Sequence, residues 1–320
     1  MNFAMAYFVK DHDQKIALAK QMGVTHVVTG TPVRHEGDRP WEFPAFFSRV
    51  KYFEDNGLTV SVIEGPSPLD KVKLGLPGRD EEIEDFCELI KNMALLNVKT
   101  VCYNWMPVLG WYRTSMEIPV RGGARGTAFD YEAMKGAPLT YAGEVSEQLL
   151  WDNLEYFLKA VVPVAEKYQI KLALHPDDPP VPSLRGISRI LINADAFRRV
   201  IDLVPSEVNG IALCQGSFAA MGENIPQLIY DFKDKIFFSH FRDIRGAANN
   251  FVEAFHDDGM TDMAACMKAY IDIKYDGCMR PDHVPAMSGE ANENPGYSIL
   301  GNLFAIGYMK GLREAAEKYA

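Results

Sequence analysis

The stretch IKLALHPDDPP, residues 170–180, is an apolar run that ends on His175 and then turns sharply through two acids and two prolines. Three later phrases repeat the arrangement. NGIALCQGS (209–217) ends its run at Cys214, KIFFSHFRD (235–243) ends at His240, and DGCMRPDH (276–283) ends at Asp282 with His283 beside it. Near-continuous apolar runs are expected of strands buried on both faces of a parallel sheet. Each candidate metal ligand therefore stands at the carboxyl end of a buried strand. Four strand ends can aim two imidazoles, a thiolate and a carboxylate at one axis only if the sheet closes on itself.

Reading outward from these phrases, strands are expected at Phe3–Phe8, Val24–Thr29, Leu58–Glu64, Val98–Tyr103, Ile170–His175, Gly210–Cys214, Ile236–His240 and Tyr275–Met279. Amphipathic segments lie between them at about 12–22, 43–57, 80–97, 145–168, 194–203, 223–233, 260–273 and 298–318. Segment 80–97 opens on acids, which suit a helix N-terminus, and carries a clear apolar stripe. Eight strand–helix units in strict alternation predict an α/β fold, a (β/α)8 TIM barrel, with residues 1–320 as one catalytic domain. Two connections are long. One follows strand 4, from Asn104 to about Gly143, and the other runs from Pro176 to about Asn193; both are expected as loops on the face that carries the ligands.

Composition narrows the function. The chain has 320 residues, Asp+Glu 43 against Lys+Arg 33, and a formal net charge of -10. Such a surface repels a nucleic-acid backbone. Five cysteines without C-x-x-C spacing give neither a zinc ribbon nor a thioredoxin motif and suggest reduced thiols. The N-terminus has no basic start and no long apolar stretch, and no run reaches membrane-spanning length. A cytoplasmic enzyme with a small-molecule substrate, no nucleic-acid or membrane partner, and assembly as a homo-oligomer is expected.

His and Cys suit a transition metal while Asp also suits harder ions, so the mixed set points to Mn2+, Fe2+ or Zn2+ rather than Ca2+. Asp177 and Asp178 read either as part of a rigid turn or as carboxylates that orient a ligand imidazole. In FVEAFHDDGMTDM (251–263), His256 is expected to face substrate and Asp262 to cap a helix. His283 and Tyr297 are candidates for proton transfer, although Tyr297 reads equally as a core aromatic. Arg113, Arg121 and Arg125 are suited to clamp a carboxylate. RGGARG (121–126) lacks the G-K-[ST] of a phosphate loop and reads as a flexible lid.

The phrases YNWMPVLGWYRT (103–114), LALHPDDPP, ALCQGS, HFRD, FVEAFHDDGMTDM, RPDH and NPGYS (294–298), in this order, resemble the D-mannonate dehydratase family, metal-dependent barrels related in fold to xylose isomerase. The resemblance implies that His175, Cys214, His240 and Asp282 bind a divalent cation, Mn2+ first and Fe2+ second. It implies a hydro-lyase of hexuronate catabolism that converts D-mannonate to 2-keto-3-deoxy-D-gluconate. It places His283 and Tyr297 near the substrate as acid/base groups; His256 is a second candidate acid. Asn104, Arg113 and Arg242 are the expected substrate contacts. The chain departs from the family pattern at AMAYFVKDHD (4–13), at Thr29–Val33 and at Gly110–Thr114. The alternative activity is a metal-dependent sugar isomerase or epimerase on the same barrel. A multi-metal nuclease is disfavoured by seven histidines and the negative charge. A non-catalytic sugar-acid binding protein would have no use for His283 and Tyr297.

Overall fold

The computed structural model describes residues 1–8, 13–32 and 38–319. The first residue of the expected 12–22 helix and parts of two divergent phrases, residues 9–12 and Val33, lie outside the described residues. Barrel strands β1 (Asn2–Tyr7), β2 (His26–Thr29), β3 (Thr59–Glu64) and β4 (Thr100–Asn104) are followed by β5 (Ser115–Pro119) and β6 (Arg125–Asp130). Then come β7 (Lys171–His175), the short pair β8 (Ser183–Leu184) and β9 (Ile187–Ser188), β10 (Asn209–Cys214), β11 (Ile236–Phe241), β12 (Ile244–Ala247), β13 (Asn250–Glu253) and β14 (Cys278–Pro281). Eight of these close into a parallel barrel in the order β1-β14-β11-β10-β7-β4-β3-β2. The helices are α1 (Asp13–Gln21), α2 (Phe43–Asp55), α3 (Asp70–Leu74), α4 (Arg79–Leu95), α5 (Glu147–Tyr168), α6 (Ala194–Leu203), α7 (Gln215–Ala220), α8 (Ile225–Asp231), α9 (Met263–Asp272) and α10 (Ile299–Tyr319).

All eight expected strands are present, as are the eight expected helices. The last strand begins three residues later than Tyr275, for a local reason. The Tyr275 N–H donates to the Tyr270 carbonyl at 2.9 Å, closing α9, and its hydroxyl donates to the Cys278 carbonyl at 2.7 Å. Tyr275 is therefore the clasp of the helix-to-strand turn. The short helices α3 and α7 were not expected, because five and six residues are too few for periodicity to register.

The two faces of the barrel strands have different tasks. Ala4, Val28, Val62, Cys102, Ala173, Ala212, Phe238 and Cys278, one from each barrel strand, form an interior cluster apart from the main core. Val27, Ile63, Val101, Leu172, Leu174, Ile211, Leu213 and Met279, on the other face, pack in the main core with the surrounding helices. Side chains two residues apart share a face of a strand. Two residues beyond the interior layer, the strands therefore aim Glu64, Asn104, His175, Cys214, His240 and Arg280 inward. The polar floor of the site is a consequence of strand period and closure.

The connection after β4 is not the open loop expected. Strands β5 and β6 pair antiparallel, and β6 continues into β13 and β12 to give the four-stranded sheet β12-β13-β6-β5. Phe251 lies opposite Phe129 in the register, their ring centroids 6.0 Å apart. Arg125 bridges to Ala286 by two backbone hydrogen bonds of 2.9 and 2.8 Å, tying this cap to the segment after β14. RGGARG is thus partly strand. The pairing joins segments more than a hundred residues apart, which a local reading does not register.

An aromatic cluster anchors the end of β4. Phe157 of α5 meets Phe86 of α4 at 5.1 Å, Trp105 at 5.3 Å and Tyr103 at 5.5 Å between centroids. The Trp105 indole N–H donates to the Leu150 carbonyl at 3.0 Å. A Phe157→Ala substitution is expected to lower unfolding stability by about 3–5 kcal/mol in urea. A loss below about 1 kcal/mol would show that the cluster does not hold β4 in place.

Candidate metal centre

His175, Cys214 and His240 offer ligand atoms that all lie within 4.8 Å of one another. His175 Nε2 is 3.1 Å from His240 Nδ1, and Asp282 Oδ2 is 3.4 Å from the same Nδ1. Cys214 and His240 are register partners on β10 and β11, and His240 pairs with Arg280 of β14. Asp282 stands one step past the end of β14, where its N–H donates to the Phe241 carbonyl at 3.3 Å.

The outward nitrogen of His175 fixes its tautomer. His175 Nδ1–H donates to the Pro176 carbonyl at 2.7 Å, leaving the Nε2 lone pair facing the centre. His240 Nε2 lies 3.3 Å from Glu64 Oε1, so an Nε2–H there leaves the Nδ1 lone pair facing His175 and Asp282. Two lone pairs, a sulfur and a carboxylate at this spacing repel one another unless a cation lies among them. Burial and Arg280 weaken the basicity of His240, but Glu64 and Asp282 raise it well above the ordinary value. A proton on His240 is thus the stand-in for a metal. Burial alone would raise the Cys214 thiol; Arg242 and the two imidazoles hold it well below its ordinary value, as thiolate.

Two charged networks surround the donors. In the first, Arg280 Nε and Nη2 donate to Glu64 at 2.9 and 2.8 Å, and Nη1 donates to Asp282 Oδ1 at 2.7 Å. In the second, Arg113 bonds Asp178 at 2.6 and 3.0 Å and Glu253 at 2.6 Å. Arg242 bonds Glu253 at 2.9 and 2.6 Å and Asp178 at 2.8 Å, and its Nη1 reaches Cys214 Sγ at 3.4 Å. A Cβ on Gly216 would stand 2.7 Å from the Arg242 side chain, so the first turn of α7 needs glycine to let the guanidinium pass.

Charge counting tests the fit to a metal. The second network is neutral, two guanidiniums against two carboxylates. Around His240, among the described residues, three anions (Glu64, Cys214 and Asp282) face one guanidinium, Arg280, leaving a net charge of -2. A divalent cation cancels it, and imidazole, thiolate and carboxylate together suit a transition metal. The residues present fit such an ion.

The other expected site residues are distributed unevenly. His283 takes a left-handed backbone (φ 46°), and its Nδ1 lies 3.2 Å from Glu253 and 3.6 Å from Asp282. Its ring meets Trp111 at 5.0 Å and stands edge-on to Tyr297 at 5.8 Å. The Tyr297 hydroxyl donates to Asp282 Oδ1 at 3.3 Å, and burial, followed by Asp282, raises its phenol well above the ordinary value. His256 is not brought to this pair. It is buried, its Nε2–H donates to the Phe241 carbonyl at 2.5 Å, and burial holds it neutral with a pKa of about 4. It supports the same carbonyl that receives the Asp282 N–H. Asp262 caps α9 through Ala265 N–H.

Arg113 and Arg242, expected on the substrate, are instead buried and engaged by carboxylates, because neither guanidinium could leave water unpaired. Arg121 pairs with Asp257 at 2.9 Å, and Arg125 pairs with Glu117 at 3.2 Å and donates to the Glu290 carbonyl, so both brace the cap. Asn104 accepts from Lys73 Nζ at 3.2 Å and Met106 N–H at 3.1 Å. Asp178 orients Arg242 rather than an imidazole, and Asp177 accepts from Leu191 N–H at 2.9 Å. Glu64 was missed, although its strand ends on it just as β7 ends on His175; Arg280 was missed because an arginine inside a strand reads as an edge residue.

Two measurements test these contacts. Arg242→Met should move the ultraviolet thiolate titration of Cys214 upward in metal-free protein; an unchanged titration contradicts the Arg242–Cys214 contact. Glu253→Gln leaves a buried guanidinium uncompensated and should cost about 3–5 kcal/mol of stability. The carboxyls of Asp178 and Glu253 are depressed by the arginines against the pull of burial, Glu253 to about 2. Their contribution is complete above the ordinary carboxylate value of ~4 and is lost as pH falls through about 2. The wild-type advantage over Glu253→Gln in denaturant titrations should therefore shrink with acid, and an advantage that grows with acid contradicts the assignment.

The family model described as D-mannonate dehydratase (UxuA) matches residues 1–141 and 138–320. The mannonate dehydratase of Brachyspira hyodysenteriae is 35% identical over 332 residues, covering 92% of this chain and 92% of that one. That of Oceanobacillus iheyensis is 36% identical over 291 residues, covering 82% and 83%. The crystal structure of mannonate dehydratase from Streptococcus suis serotype 2 superposes with a TM-score of 0.92 at 31% identity, covering 99% of this chain and 95% of that one. A D-tagatose 3-epimerase-like protein, at 16% identity and a TM-score of 0.67 with both chains fully covered, shares the barrel alone. With the family's metal dependence matched by the donor set above, the chain belongs to the D-mannonate dehydratase family.

Proposed function

We propose that this chain removes water from D-mannonate to give 2-keto-3-deoxy-D-gluconate at the His175–Cys214–His240–Asp282 centre, with Mn2+ as the resident ion and Fe2+ as the alternative. The observation that supports this reading is that His283 Nδ1 and the Tyr297 hydroxyl, two groups able to transfer protons, lie 3.6 and 3.3 Å from the carboxylate of Asp282. We take residues 1–320 as one catalytic unit.

The C2 proton of an aldonate adjoins a carboxylate and is very weakly acidic. A divalent cation bound by these four residues would stabilise the negative charge that develops on the carboxylate and the neighbouring hydroxyl. The protein's own part is proton movement. Of His283 and Tyr297, one takes the C2 proton and the other gives a proton to the departing C3 hydroxyl. Their rings stand edge-on with centroids 5.8 Å apart, which keeps the two groups together. Trp111 packs on the His283 ring and restricts its rotation, while Glu253 holds its Nδ1. The networks around Arg242 and Arg280 fix Cys214 and Asp282 so that neither has to reorganise during turnover.

A screen of aldonates with Mn2+, read out as 2-keto-3-deoxy acid, should single out D-mannonate. Chelation should abolish the activity and Mn2+ should restore it. His283→Ala and Tyr297→Phe should each lower kcat by about 10²–10⁴-fold while binding metal normally. Formation of a ketose or an epimer from a neutral sugar, with no keto-deoxy acid from any aldonate, would overturn the reading in favour of an isomerase or epimerase.

A further inference from the structure

Among the described residues, three guanidiniums lie beside the donor set, and each is engaged by carboxylates. Arg113 and Arg242 share Asp178 and Glu253, and Arg280 is held by Glu64 and Asp282. The sugar acid of the proposed reaction nevertheless carries a carboxylate at neutral pH. Lys15, on the same side of the barrel, has no carboxylate partner among the described residues.

Lys15 lies on α1 and is only 8% exposed. Its Nζ donates to the Ala6 carbonyl at 2.7 Å and stands 5.2 Å from the centroid of the Tyr7 ring. Among the described residues no carboxylate pairs with it, and two of the three ammonium hydrogens are left for a ligand. Burial, then repulsion from Arg280, pulls its pKa down to about 8, as expected for a cation that lacks a partner. The β1–β14 register pairs Asn2 with Cys278 and Phe3 with Met279; continued along the strands, it brings Ala6 level with Asp282. The ammonium is thus held on β1, the strand beside β14, and Arg280, which bonds the metal donor Asp282, is the charge that repels it.

The space in front of it is suitable. Lys15 lines a cavity of about 820 Å³ together with Tyr7, Phe8, Gln14 and Tyr297. Small-molecule sites span ~300–1,000 Å³. Tyr297 links this cavity to the centre, its ring edge-on to Phe8 at 5.4 Å and its hydroxyl on Asp282. The two acids of the same cavity do not reach the ammonium: Glu290 accepts the N–H groups of Met287 and Leu300, both at 2.8 Å, and Glu293 is exposed.

We propose that Lys15 is the ammonium group that pairs with the carboxylate of the sugar acid in the cavity beside Tyr297, which makes it the residue that selects an aldonate by its charge. The proposal rests on the dehydratase reading and adds to it the group that recognises the substrate. The test is steady-state kinetics on D-mannonate with the Mn2+-loaded full chain, comparing wild type, Lys15→Met and Lys15→Arg, with melting temperature and bound metal measured on each. Lys15→Met should raise KM about tenfold or more, leave kcat within about threefold, and keep its metal and its melting temperature; Lys15→Arg should recover most of the KM. A Lys15→Met KM within about twofold of wild type overturns the proposal, as does a raised KM that Lys15→Arg fails to restore at an unchanged melting temperature. If wild type forms no keto-deoxy acid from any aldonate, the dehydratase reading itself fails and the role of Lys15 falls with it.

Discussion

Three anions meeting around one imidazole set the terms for the rest of the site. Glu64, Cys214 and Asp282 approach His240 from the ends of three strands, and among the described residues Arg280 is the one guanidinium beside them. In a low-dielectric interior such an excess is not tolerated unless it is compensated. A divalent cation removes it, and a proton on His240 is the weaker substitute. Metal binding, protonation and local stability are therefore one linked equilibrium. The second network, balanced within itself, has a different task. It holds Arg242 against Cys214, which keeps the sulfur ionised and aimed inward.

Barrel closure is what allows so much charge to be gathered. Each strand contributes one small or apolar interior residue, such as Ala173, Ala212 or Cys102, and on six of the eight the next residue on the same face is polar. The interior layer is apolar and buried, while the layer above it is chemically dense. The antiparallel cap then shields that layer from one side. It is pinned by Arg113 beneath, through Glu253 at the end of β13, and by Arg125 against the segment after β14. Stability and function share these contacts, so weakening the cap should also disturb the orientation of His283, whose Nδ1 faces the same Glu253.

Much of this was legible in the sequence where one local rule sufficed. Apolar runs ending on His175, Cys214, His240 and Asp282 marked the strands and pointed to closure, and the D-mannonate dehydratase family follows from the phrases around them. What was not legible depended on pairing across the chain. The cap sheet joins 115–130 with 244–253, and neither segment is long or regular enough alone to register as strand. The arginines misled for a related reason. Arg113 and Arg242 look like substrate clamps until Asp178 and Glu253, some 65 and 140 residues from Arg113, are seen to neutralise them. Glu64 carried the same strand-end signal as the histidines and was passed over because a single acid at a strand end is common. His256 could not be separated from His283 by spacing; both are buried, and only the hydrogen bond from His256 Nε2–H to the Phe241 carbonyl shows that its ring is turned into the protein.

Two imidazoles, a thiolate and a carboxylate at the mouth of the barrel are proposed to hold one divalent cation, and X-ray absorption at the manganese edge of the Mn2+-loaded protein tests this. The spectrum should show one sulfur and two imidazole nitrogens among the nearest scatterers, with oxygens completing the shell, and should lose the sulfur in Cys214→Ser. A shell of oxygens alone, or a spectrum unchanged by Cys214→Ser, would contradict it.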